Sequence, residues 1–182
     1  MAIKTFTTGE VLTASDTNTY LANSGLVYVT SVTVGSGVAS FNVPNAFSAT
    51  YDNYRIVFAG GVGSAATADL GLKLGAATTN YAYQLVFGAY ANTPLAAGGT
   101  GAASFLIAGG SSTSAASVDC DLLSPFDSSR FTLMMGVMNS GNGAGAFSGQ
   151  HRTAASYTDF TITPSTGTLT GGVCTVYGYR KA

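Results

Sequence analysis

Charge is what this sequence has least of. Only 8% of its 182 residues are Asp, Glu, Lys or Arg, against roughly 25% in ordinary soluble domains. Seven Lys and Arg residues are scattered along the chain, and the net charge is −1. No basic stripe stands ready to neutralise a phosphate backbone, so nucleic acid is not an expected partner. Tryptophan is missing and histidine occurs once. One His, one Glu and seven Asp give acid–base chemistry little to work with, and the sequence holds no G-x-S-x-G elbow, P-loop or H-E-x-x-H helix. The expectation is a protein that is not an enzyme and carries no cofactor or metal.

Long hydrophobic runs are lacking too. SFLIAGG and LMMGVM fall far short of the roughly 20 residues that span a bilayer as a helix, so membrane insertion is not expected. The opening MAIKTFTTGE lacks the apolar core of a signal peptide, which points to assembly in a bacterial-type cytoplasm. Two cysteines, Cys120 and Cys174, are too few for a disulfide framework or a zinc site. Their surroundings suit buried free thiols acting as small hydrophobes, with a single bridge between neighbouring strands as the alternative.

What remains is apolar, aromatic and rich in glycine: 46% hydrophobic residues, 24 Gly, 10 Tyr and 10 Phe. That composition excludes disorder by low hydrophobicity. From Leu26 onward, short segments rich in β-branched and aromatic residues alternate with turn signals. They are LVYVTSVTV, VASFNVP, YDNYRIVFAG, ADLGLKLG, NYAYQLVFGAY, ASFLIAG, ASVDCDLL, RFTLMMGVMN, GAFSGQHR, YTDFTIT and GVCTVYGYRK. In ADLGLKLG the residues Leu70, Leu72 and Leu74 share one face, with Gly71 and Lys73 on the other. The pattern predicts an all-β, antiparallel β-sandwich or jelly-roll-like domain of about ten strands over residues 26–182. Between strands, GGVGSAATA, PLAAGGTGAAS, GGSSTSAAS and NSGNGAGA read as uncharged loops whose small residues let backbones approach across an interface or against a ligand.

Candidate chemistry is sparse. His151, in GQHRT, has no second His and no acid beside it, and reads as structural. Asp119 and Asp121, in SVDCDLL, point two carboxylates at one face of a strand, where a solvated pair, a hard cation or paired-carboxylate hydrolysis are the alternatives. The solvated pair is the commonest cause. Tyr81, Tyr83, Tyr90, Tyr177 and Tyr179 are candidate oligomer or receptor contacts, because Tyr joins apolar area to a hydroxyl.

Residues 1–25 stand apart from this pattern. Thr13 and Asp16 form a T-x-x-D variant of the capping box, and Gly25 suits a C-terminal cap. One short helix of about three turns is predicted over 14–24, a length that is marginal in water without a surface to dock on.

The stretch TFTTGEVLTASDTNTYLAN, residues 5–23, resembles the N-terminal phrase of many tailed-bacteriophage structural proteins. Phe6, Gly9, Glu10, Leu12, Thr13, Ala14, Ser15, Asp16, Asn18, Tyr20, Leu21 and Asn23 carry the likeness. SATYDNYRIVF at 48–58 and LTGGVCTVYGYRK at 169–181 are similar to β-domains of phage fibre, collar and head-decoration proteins. The resemblance implies a virion protein built as a homotrimer, with the N-terminal segment towards the particle and the β-domain outward. Its partners would then be itself and other virion proteins such as the major capsid, neck or tail proteins. Anchoring would fall to Leu12, Tyr20 and Leu21, with Thr13 and Asp16 holding the helix start. The alternative is a receptor-binding module that recognises host surface glycan.

Overall fold

Strand pairing begins at Leu26 and runs nearly to the end of the chain. The computed structural model describes residues 7–16 and 25–181. They hold one short helix, α1 (Ala14–Asp16), followed by twelve strands. These are β1 (Leu26–Thr33), β2 (Phe41–Val43), β3 (Asn53–Gly63), β4 (Ala68–Leu74), β5 (Tyr81–Ala89) and β6 (Pro94–Ala102). The second half adds β7 (Phe105–Ser111), β8 (Ala116–Leu123), β9 (Thr132–Asn139), β10 (Gly143–His151), β11 (Phe160–Pro164) and β12 (Leu169–Tyr179). Every pairing is antiparallel. The protein is therefore all-β, preceded by a short helix, as its alternating segments predict.

The sheet forks at β8. One edge of β8 pairs with β3 over most of its length. The other edge is shared: Ala116, Ser117 and Val118 pair with β7, while Asp119 to Leu123 pair with β9. One limb then continues as β7-β4-β11-β2 and the other as β9-β10-β5-β6, with β12 and β1 lying beyond β3. Aromatic rings pack the branches together across strands that are not hydrogen-bonded to each other. Phe41 of β2 lies 5.2 Å from Phe58 of β3, and Tyr81 of β5 lies 4.9 Å from Phe105 of β7. This layered packing is compatible with the expected sandwich or jelly-roll class.

Period-2 alternation decides which side chains enter the core. In β8, Ala116, Val118, Cys120 and Leu122 are buried, while Ser117, Asp119, Asp121 and Leu123 face out. In β4, Leu70, Leu72 and Leu74 are all fully buried, on the face that the alternation assigns to them. Full burial of a Leu or Phe side chain stabilises by about 1.5–3 kcal/mol relative to leaving it exposed, so such rows hold the sheet together.

Eleven strands fall on the eleven β-branched and aromatic segments of the sequence. The twelfth, β6, corrects the expectation of a loop in PLAAGGTGAAS. Its residues have poor β-propensity, but β6 is an edge strand held by pairing to β5 alone. Small residues are what that pairing needs. A Cβ on Gly98 would lie 2.4 Å from the Gln84 Oε1 and 2.9 Å from the Tyr83 carbonyl oxygen. NSGNGAGA likewise enters β10, where a Cβ on Gly145 would lie 2.3 Å from the Val86 carbonyl oxygen. These close backbone approaches are made within the chain.

Candidate functional site

Residues 7–16 have the local structure their sequence specifies and almost no burial. Thr13 Oγ1 donates to Asp16 Oδ2 at 2.7 Å, and the backbone N–H of Asp16 donates back to Thr13 Oγ1 at 3.1 Å. The Thr13 N–H also donates to Asp16 Oδ2 at 3.2 Å. This is the reciprocal capping box predicted from T-x-x-D. Upstream, the Glu10 N–H closes a turn on the Thr7 carbonyl at 3.1 Å, and the Thr7 N–H donates to Glu10 Oε2 at 3.1 Å. Yet none of residues 7–16 is buried, and Val11 and Leu12 are 79% and 50% exposed. The predicted helix is described only over Ala14–Asp16. Tyr20 and Leu21 lie outside the described residues.

Asp119 and Asp121 do share a face, and a third side chain unites them. Across the register Arg55 stands opposite Asp121. Its guanidinium pairs with Asp119 and reaches both carboxylate oxygens of Asp121 at 3.4 Å. Tyr179 Oη donates to Asp121 Oδ1 at 2.7 Å. Burial raises the Tyr179 pKa, and the bond to Asp121 raises it further. The guanidinium stands where a bound cation would otherwise bridge the two carboxylates. The network sits on an outward face that also bears Met135 and Val137, the register partners of Asp121 and Asp119.

The remaining candidates divide by burial. Tyr81 is fully buried, its hydroxyl accepting from the Leu74 N–H at 2.9 Å. Burial pushes its pKa up to about 12. In this fold it offers no surface to a partner. Tyr90 is 63% exposed, while Tyr83, Tyr177 and Tyr179 are half-buried. His151 is buried with Nε2 3.1 Å from the Thr79 carbonyl and Nδ1 3.1 Å from Tyr157 Oη. Burial lowers its pKa, against the backbone bonds to Thr79 and Thr153. A histidine so enclosed works as a core polar group. Cys120 and Cys174 are buried free thiols, and burial pushes Cys174 up to about 12 and Cys120 further still.

Two cavities are the other concave features worth comparing. A cleft of about 470 Å³ beside Tyr51 and Phe126 gathers four charged residues. Their charges are already paired, Lys181 Nζ with Asp52 at 2.7 Å and Arg130 Nε with Asp127 at 3.3 Å. A groove of about 540 Å³ lies on the Asp69–Gly71–Lys73 face of β4, walled by Tyr83, Leu106 and Ile107. Asp69 also lines an adjoining cavity of about 230 Å³. That carboxyl makes no hydrogen bond or ion pair among the described residues, and burial raises its pKa. Burial also raises the Tyr83 pKa, with the Asp69 charge adding to it. Sequence reasoning missed Asp69. The available signal was its place on the polar face of ADLGLKLG, but only the fold brings β5 and β7 around it.

Comparison with protein families, curated proteins and solved structures returned no match.

Proposed function

We propose that this chain is a non-enzymatic structural protein of a bacteriophage virion. It is a homotrimeric knob or short fibre, attached as a head-decoration or cement protein or as a tail or collar fibre. Residues 1–25 anchor it, and residues 26–182 form an outward sandwich of jelly-roll type. The observation that carries the reading is the N-terminal segment. Its capping box is formed, while the apolar side chains Val11 and Leu12 remain exposed. Residues 7–16 have local hydrogen bonds and no buried side chain, and such a stretch gains stable order from a surface to dock on. The likeness of residues 5–23 to phage N-terminal phrases supplies the identity of that surface, another virion protein.

The mechanism is avidity. One segment docks weakly, and three linked copies bind far more tightly because the later docking events are intramolecular. The test is particle binding by a chain lacking residues 1–24, with its oligomeric state followed by light scattering. Loss of binding with the oligomer retained supports the anchor. Undiminished binding overturns it.

A further inference from the structure

We propose that the groove on the Asp69–Lys73 face of β4 binds a neutral saccharide, with Asp69 accepting hydrogen bonds from sugar hydroxyls. The inference stands apart from particle anchoring, because the groove belongs to the strands and the anchor to residues 1–25. It gives the host-glycan alternative a location and a chemistry.

Three observations fix the ligand class. First, Asp69 is a half-buried carboxylate without a donor among the described residues. Its open side is left to solvent or a ligand, and charge-assisted hydrogen bonds are the strong ones. The ligand that completes it must therefore bring donors and not negative charge. Second, the groove joins apolar wall to hydroxyl rim. Leu106, 47% exposed, offers hydrocarbon with the largely buried Ile107 beside it, while Ser104 and Thr163 line the same space. A pyranose has the matching surface, C–H groups on its faces and hydroxyls at its edge. Tyr83 adds an aromatic ring of amphipathic character.

Third, the groove is elongated. Asp69 and Lys73 lie on the same face four residues apart in β4, a span of roughly 13 Å at strand rise. That length accommodates more than one sugar ring, with the ammonium group of Lys73 as a donor at the far end. Asp69 is the sole carboxylate lining the groove among the described residues. Glycoside cleavage ordinarily needs two, so the site is assigned to binding.

The experiment is amide NMR of the intact chain titrated with maltotriose, lactose and N,N′-diacetylchitobiose, each to about 20 mM, a range suited to weak affinities. Ethanolamine is titrated in parallel as a cationic probe. At least one saccharide is expected to shift the amides of Gly71, Tyr83 and Leu106. Asp69→Asn should weaken that binding about tenfold, and Leu106→Ala, at an exposed position, a few-fold. Asp127→Asn in the other cleft should leave it unchanged. Silence of the groove amides towards all three saccharides overturns the proposal. So does ethanolamine binding in their place, or equal affinity in the Asp69→Asn chain. No virion component enters this titration, so its failure is distinct from failure of the anchor.

Discussion

Two regions of this molecule obey local rules equally well and differ in everything beyond them. In residues 7–16 the capping box and the Thr7–Glu10 turn close as the sequence specifies. No side chain there is buried. In the strands, by contrast, Phe58, Leu72, Leu122 and Val176 have no accessible surface, and their order comes from rows of partners far apart in sequence. Hydrogen bonds between neighbours can specify a shape. Burial is what stabilises one, because a net hydrogen bond contributes only about 0.5–1.5 kcal/mol and fixing each residue's backbone costs as much or more.

The largest expected effect separates the regions by function. Removing residues 1–24 should weaken particle binding roughly a hundredfold or more. The melting temperature of the strands should stay within a few degrees of the full chain. A chain that melts much earlier after truncation would erase the contrast. Next comes stability within the strands. Phe58→Ala should cost about 3–5 kcal/mol in denaturant unfolding, whereas Leu12→Ala should stay within about 0.5 kcal/mol. Equal costs would show that Leu12 packs on its own chain.

A smaller effect probes buried polar groups. Tyr81→Phe leaves the Leu74 N–H without its acceptor and should cost about 1–3 kcal/mol, read as a shift in unfolding midpoint. His151 gives a pH signature. Burial holds its folded pKa below the ordinary 6.5, so the unfolded chain binds the proton more readily. Stability is then retained above pH 6.5 and lost as pH falls through 6.5 towards the folded value. Unfolding curves from neutral to mildly acidic pH should show the loss in the parent and not in a folded His151→Gln chain. The smallest effect is Thr13→Ala. It removes a cap in a region without burial, so neither global stability nor the already fast exchange at Asp16 should change measurably.

The same contrast explains what could be read in advance. β-branched and aromatic runs between turn signals located eleven strands, and in β4 the buried row also left a period-2 trace in Leu70, Leu72 and Leu74. β6 left none, since Ala and Gly carry no such pattern and its place is set by β5. The capping box was legible because its two residues lie three positions apart. Asp119 and Asp121 were legible as a pair, but Arg55 was not, since 64 positions separate it from Asp119. Tyr81 and Tyr90 look alike in sequence and fall on opposite sides of the surface. The groove around Asp69 was invisible for the same reason, being made by β4, β5 and β7 together.

Hydrogen exchange on the isolated chain tests the central contrast most directly. The account predicts that amides from Thr7 to Asp16 exchange near the rate of an unstructured peptide, while Ile56, Cys120 and Val176 are protected to the level of global unfolding. Protection of Val11 to Asp16 comparable with Ile56, in the absence of any particle, would contradict it.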